Sequence, residues 1–235
     1  DRLLTARAVI GFWPAASDAD DIILYKDEGR DEELMRFPML RQQKDLEGEP
    51  SRSLADFVAP VGSGHADYIG AFGVTAGLGA GTLAKKYQDA NDDYSSIMVK
   101  ALADRLAEAA AEYIHKRARA VWGHAKDETL GKRGLIDEVY HGIRPAFGYP
   151  ACPDHSLKAR LLSLLGAHSI GLGLTENGAM TPAASVSGLY FAHPDAHYFQ
   201  LGKIGLDQVE DYSKRMNQTL TETERWLSPS LSYDV

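Results

Sequence analysis

Residues 92–121 read DDYSSIMVKALADRLAEAAAEYIHKRARAV, and this run sets the frame for everything around it. Ile97, Met98, Ala101, Leu102, Leu106, Ala109, Ala110, Tyr113 and Ile114 recur at spacings of three and four, the period of one stripe along an α-helix. Asp92 or Asp93 is suited to accept hydrogen bonds from the free amides at the start, and Lys116, Arg117 and Arg119 suit the negative end of the helix dipole. The spacing predicts a helix over residues 93–121 with that stripe as its buried face.

Upstream, strand-like runs fall at residues 8–13, 22–25, 57–59 and 68–75, separated by polar, turn-rich stretches. The charged stretch 26–52, with Arg41, Gln42 and Gln43 near its middle, reads most simply as a loop with room for a short helix; it either carries function or connects. Downstream, a second helix is expected over 155–165, with Asp154 as N-cap and Gly166 as its stop. Strand-like runs return at 169–174, 186–191 and 197–201, followed by helical segments at 206–216 and 221–227, the last opened by a capping box from Thr221 to Glu224. Strands cluster in groups instead of alternating with helices. That pattern favours an α+β architecture, a twisted, largely antiparallel sheet with the long amphipathic helix and further helices packed around it, over a doubly wound parallel sheet.

Composition narrows the function classes. The chain has 235 residues, 44% of them hydrophobic, enough for a sizeable core. Lys and Arg total 25 against 33 for Asp and Glu, a net charge of -8, so the basic patch of a nucleic-acid-binding surface is not favoured. No long uninterrupted apolar run marks a membrane span, and the first residues lack the pattern of a signal peptide; the expected compartment is the cytosol. The single cysteine, Cys152, cannot form an internal disulfide or supply the thiolates of a structural zinc site.

Several candidate sites have plain alternatives. The glycine cluster 77–81, Gly-Leu-Gly-Ala-Gly, lacks the spacing of a dinucleotide-binding fingerprint and reads as a flexible turn. Gly171 and Gly173 lie in a strand-like run, where they more often permit close packing. His115, His124, His141, His155, His193 and His197 show no metal-ligand spacing. Cys152 lies near a helix start that can lower a thiol pKa, but a nucleophile also needs an oriented base, which spacing does not supply.

Residues 140–153, YHGIRPAFGYPACP, resist a plain reading. Three prolines and two glycines exclude regular helix or central strand and leave a rigid irregular loop with unpaired backbone groups. Those groups need partners, either water or a ligand rich in donors and acceptors, with Arg144 reading a carboxylate and Tyr149 offering a flat face or a hydroxyl.

Residues 144–153, RPAFGYPACP, resemble the R-P-A-P-G-Y-P-A-C-P signature of the activation domain of cobalamin-dependent methionine synthases. DFVAP at 56–60, DYIGAF at 67–72, residues 97–112, ASVSG at 184–188 and DQVEDY at 207–212 resemble further family segments in the family's order, so that the resemblance spans nearly the whole chain. It implies an α+β domain that binds S-adenosylmethionine and presents its methyl group to cobalamin carried by a neighbouring cobalamin-binding domain. There an electron from flavodoxin or an equivalent reductase accompanies the methyl group in remethylating oxidised cob(II)alamin, within methionine biosynthesis from homocysteine. Turnover by this chain alone is not expected.

Carried over by position, Arg144 holds the methionine carboxylate, the backbone of Ala146 and Gly148 meets the adenosine end, and Tyr149 lines the same pocket. Tyr198 and Phe199 match a ligand-contacting aromatic pair, Glu108 and Glu138 match acidic positions near the site, and Asp104 is an interdomain candidate. No residue acts as acid, base or nucleophile, and no metal ligand is assigned. Two departures stand out. Phe147 replaces a proline of the signature, a change expected to loosen the loop or reshape the pocket while leaving its hydrogen bonds. Residues 1–235 are also expected to lack the N-terminal segment of a family activation domain, which carries an acidic contact to the ligand's amino group. The competing readings are a docking module for a cobalamin or corrinoid protein that no longer binds S-adenosylmethionine and, ranked last, a self-contained cysteine-dependent enzyme.

Overall fold

The first strands form where β-branched and aromatic residues cluster. In the computed structural model, which describes residues 3–43, 48, 50–125 and 128–235, β1 (Arg7–Asp18), β2 (Asp21–Tyr25) and β3 (Glu33–Pro38) are followed by a 3-10 turn, Leu54–Phe57, and by β4 (Asp67–Thr75). Then come α1 (Ala80–Asp89), α2 (Asp93–Trp122), α3 (Lys132–Ile136), α4 (Leu157–Leu164), a 3-10 turn at Ala167–Ile170, β5 (Gly173–Leu174), β6 (Met180–Thr181), β7 (Ser185–Tyr190), α5 (Leu206–Met216) and α6 (Leu220–Leu227). The main sheet has five strands in the order β3-β2-β1-β4-β7, and β5 pairs with β6 in a separate two-stranded sheet. The pairings of β1 with β2, β2 with β3 and β5 with β6 are antiparallel. This is the expected α+β class.

The chain divides into two compact units: Asp1–Gly11, Ala71–Tyr140 and Lys158–Gly188 form the first, and Phe12–Gly70, His141–Leu157 and Leu189–Val235 the second. In the second, β1 pairs with β2 from Ala15↔Leu24 to Asp18↔Asp21, so that Pro14, which has no N–H to give, stands just outside the paired register. Arg36 on β3 donates to Asp18 and to the buried Asp21, and Asp21 also takes Arg215 of α5 at 2.7 Å. Two guanidinium groups on one buried carboxylate satisfy it in a way a single surface pair would not.

In the first unit α2 runs for 30 residues, close to the predicted bounds, with the Asp92 carboxylate accepting the Ser95 N–H at 3.0 Å. Its buried face is not the predicted one. Ser96, Val99, Ala103, Ala107, Ala111, His115, Ala118 and Arg119 are buried, whereas Ile97 is 67% exposed and Leu102 52%. Packing accounts for the difference. Ala80 and Ala84 of α1 join Val99 and Ala103 of α2 and Ala184 in one core cluster flanked by Leu4, Leu83 and Tyr87. A row of alanines lets two helices approach closely, and the separation of packed helices follows the side chains at their contact. A hydropathy stripe weighted by large residues cannot see that preference.

Other elements differ from the sequence reading for local reasons. The run 57–59 is not a strand: Ser53 and Asp56 form a capping box that turns Leu54–Phe57 into a 3-10 helix. The run 169–174 contains the end of the 3-10 turn Ala167–Ile170 and only the short β5, and residues 197–201 form no strand. The stretch 26–52 contains β3, while its residues 44–47 and 49 lie outside the described residues. The glycine cluster leads directly into α1, with Gly79 in the left-handed region (φ 81) at the helix start, a conformation that favours glycine. The helices α1 and α3 were not anticipated. The capping box of α6 uses Thr219 and Glu222, not Thr221 and Glu224; the sequence TLTETE offers both frames, and the helix begins in the earlier one. Among the described residues no helix is long and apolar enough to cross a membrane.

The small-residue face of α2 makes a testable distinction. Ala103→Leu, at a position 1% exposed, is expected to cost about 1–3 kcal/mol by overpacking. Leu102→Gln, one residue away, should change stability by no more than about 0.5 kcal/mol. Urea unfolding of the two variants checks the assignment, and the reverse order would restore the hydropathy stripe.

Candidate functional site

The proline-rich loop begins as a short continuation of sheet-like pairing. Ile143 N–H donates to Phe191 O at 3.1 Å, Phe191 N–H returns to Ile143 O at 3.0 Å, and Leu189 N–H reaches Pro145 O at 3.0 Å. The chain then folds back on itself: Tyr149 N–H bonds Ala146 O, Cys152 N–H bonds Tyr149 O at 2.9 Å, and Gly148 N–H bonds Cys152 O at 2.8 Å. The sequence reading left these groups unpaired. The N–H groups of Ile143, Arg144, Gly148, Tyr149 and Cys152 are satisfied inside the protein, which is enough to close the turn although each proline removes a donor. Among the described residues, the partly exposed Ala146 donates its N–H to no protein group, and neither do Phe147 and Ala151.

Side chains lock this turn from within. Phe147 is 1% exposed and stacks on Phe37 with ring centroids 5.8 Å apart. The departure from the signature therefore points into the core, where its ring anchors the loop. Gly148 has φ +92, and a Cβ there would lie 2.2 Å from the His155 ring, so both conformation and space require glycine. The buried Cys152 thiol donates to Ala146 O at 3.0 Å; it is a structural group, and no nucleophile is assigned.

Beyond the loop, Asp154 is buried and accepts three hydrogen bonds: from Ser156 N–H at 2.7 Å, Ser156 Oγ at 2.9 Å and the Tyr212 hydroxyl at 2.8 Å. Burial, and then the adjacent Asp154 charge, push the Tyr212 phenol well above its ordinary value. The carboxylate thus ties residues 154–156 to the middle of α5.

The second segment of the site, residues 197–201, meets the loop at Arg144, whose backbone N–H donates to the Tyr198 hydroxyl at 3.1 Å. Phe199 packs against Phe57 at 6.5 Å, and His193 and His197 border the same ring. Pro150 O receives Leu201 N–H at 2.9 Å, a second link between the two segments. Arg144, Ala146, Gly148, Tyr149, Tyr198 and Phe199 accordingly belong to one compact unit, with Tyr149 and Tyr198 exposed and the other four partly buried.

Asp104, Glu108 and Glu138 belong to the first unit. Asp104 and Glu108 stand exposed one turn apart on α2, and Glu138 follows α3 with a left-handed backbone (φ 50). Near Glu138, the buried Arg119 guanidinium lies 3.6 Å from the Tyr140 ring centroid and forms paired hydrogen bonds with Glu128 at 2.9 and 2.8 Å, while the Tyr140 hydroxyl donates to Glu112. This cluster holds residues 128–140 against the end of α2. The described residues contain no group of three or more His, Cys, Asp or Glu able to hold a metal ion.

Sequence reasoning assigns no supporting role to Phe37, Phe57, His155 or Tyr212, yet all of them hold the loop or the aromatic segment. Their partners are 58 to 142 positions away in sequence, or belong to an irregular turn, and no local pattern marks them.

A family model described as vitamin B12 dependent methionine synthase, activation domain, matches residues 1–217. Among solved structures, the chain is similar to the MetH reactivation domain bound to AdoHcy, with a TM-score of 0.97 and 53% sequence identity over 99% of this chain and 72% of that chain.

The Asp154–Tyr212 bond gives stability a defined pH dependence. Tyrosine in the unfolded chain ionises near its ordinary value of 10.0, whereas folded Tyr212 keeps its proton to higher pH. The unfolded state therefore binds fewer protons above that value, and the contribution, complete below it, is lost as pH rises towards the folded value at up to about 1.4 kcal/mol per pH unit. Tyr212→Phe should fall less steeply than the parent in urea unfolding between about pH 9 and 11. Parallel slopes would refute the assignment.

Proposed function

Because this chain belongs to the family of vitamin B12-dependent methionine synthase activation domains, we propose that it binds S-adenosylmethionine and presents the methyl group to cobalamin held by a neighbouring domain, for reductive remethylation within methionine biosynthesis. The observation that carries this reading is the bond from Arg144 N–H to the Tyr198 hydroxyl, which joins the loop and the aromatic segment in one surface. That surface combines a guanidinium, aromatic rings and the open N–H of Ala146, the set of groups that a carboxylate and an adenosine together require.

In this reading the Arg144 fork holds the methionine carboxylate. The Ala146 N–H and the backbone around Gly148 face the adenosine, and Tyr149, Tyr198 and Phe199 supply flat apolar contact. The rigid loop fixes the ligand's orientation before the methyl acceptor arrives, which is where positioning contributes to rate. Bound here, S-adenosylmethionine would supply a methyl group activated by its sulfonium and leave as S-adenosylhomocysteine, with the neighbouring domain's cobalamin as acceptor and flavodoxin or an equivalent reductase as the source of the electron. The chain's own residues bind and orient and move no proton. Glu108 and Glu138 as acidic ligand contacts, and Asp104 as an interdomain contact, rest on the family resemblance and are open to single substitution. So is the assignment of residues 1–235 to one activation domain without its N-terminal segment.

Calorimetric titration with S-adenosylmethionine tests the clamp. Arg144→Ala is expected to weaken binding about 10- to 100-fold, the range of a lost charge-assisted pair. Arg144→Lys should recover only part of it, because an ammonium lacks the planar fork. Equal binding by parent and Arg144→Ala would remove Arg144 from the site; no binding by the parent would overturn the ligand assignment.

A further inference from the structure

Three consecutive residues outside the site just described, Arg41, Gln42 and Gln43, reach both sides of the aromatic segment. Arg41 Nη2 lies 2.6 Å from Oδ1 of Asp20 and of Asp56, and its Nη1 lies 2.8 Å from Oδ2 of Asp56. Asp56 also accepts the Ser53 N–H at 2.8 Å and so completes the cap of the turn that ends in Phe57, the ring on which Phe199 rests. Burial by itself would raise the Asp56 carboxyl, but its hydrogen bonds to Arg41 and Ser53 prevail and hold it below its ordinary value, a charged anchor.

The two glutamines hold the segment itself. Gln42 Nε2 donates to Gln200 O at 2.8 Å while its Oε1 accepts Arg52 N–H at 3.0 Å. Gln43 Oε1 accepts Gly205 N–H at 2.7 Å, and its Nε2 donates to Asp207 at 2.9 Å. Gln208 returns the contact, accepting Arg41 N–H at 2.6 Å and donating to Arg41 O at 2.9 Å. Residues 197–203 have neither helix nor strand to order them, so these amide side chains stand in for a missing ladder.

We propose that Gln42 and Gln43 are positioning residues for ligand binding: they hold residues 198–205 in the conformation that presents Tyr198 and Phe199 to S-adenosylmethionine. The proposal rests on the ligand assignment above. Gln42→Glu isolates the interaction, since glutamate keeps the size of the side chain and the acceptor for Arg52 but loses the N–H given to Gln200 and sets a carboxylate against that carbonyl.

The test combines two readouts on the whole chain. Calorimetry with S-adenosylmethionine should show binding by Gln42→Glu weakened about five- to tenfold, the size of one lost hydrogen bond. Hydrogen exchange without ligand should show faster exchange at the amides of Leu201 and Gly205, with Val209 and Thr223 of the neighbouring helices and the thermal midpoint unchanged. Parent-like affinity in Gln42→Glu, or unchanged exchange at Leu201 and Gly205, overturns the proposal while leaving the ligand assignment intact. A general loss of protection with a lowered midpoint marks a merely structural role and overturns it too. Failure of the parent to bind overturns the ligand assignment and the positioning role with it.

Discussion

A loop rich in proline has few N–H groups to give, and each one left without a partner away from water costs free energy comparable to a lost hydrogen bond. The site depends on how residues 144–153 meet that constraint. Gly148, Tyr149 and Cys152 spend their donors on carbonyls within the turn, and the Cys152 thiol adds one more. These bonds hold the backbone in an irregular path, and a path fixed in advance loses little entropy when something binds. Phe147 in the core and His155 beneath Gly148 leave the turn little room to move.

The same constraint recurs in the aromatic segment with another solution. Residues 197–203 make no ladder, and their order comes from side chains brought by distant parts of the chain: Gln42 on the Gln200 carbonyl, Gln43 on the Gly205 amide and Phe57 beneath Phe199. Such long-range amide contacts fix a loop at a few points and leave the aromatic faces accessible. Arg41 joins the two kinds of support, since it anchors the turn carrying Phe57 and lies next to the glutamines that hold the segment.

Buried charge in this fold is shared instead of paired singly. Asp21 meets Arg36 and Arg215, Asp154 meets Ser156 and Tyr212, and Arg119 meets Glu128 and the Tyr140 ring. A buried ion that loses its only partner is left with its full desolvation cost, so several hydrogen bonds on one group are what make burial tolerable. In each case the group joins segments that the sequence keeps apart, which ties the burial of charge to the specification of loop geometry.

The sequence by itself determined the α+β class, the span of α2, β2, β4, β7 and α5 to within a few residues, and the signature loop as the place to look for a site. Those features are written in local periodicity, in caps and in the restricted dihedrals of proline and glycine, which act over a few residues. Only the tertiary structure decided which face of α2 is buried, because close approach of α1 favours alanines over the larger side chains beside them. It alone turned Phe147 inward, paired the loop's backbone internally, and made residues 41–43 the support for residues 198–205. These outcomes depend on distances between segments up to about 170 residues apart, and the energy of a packed contact or a shared hydrogen bond belongs to the pair, so neither partner's local sequence contains it.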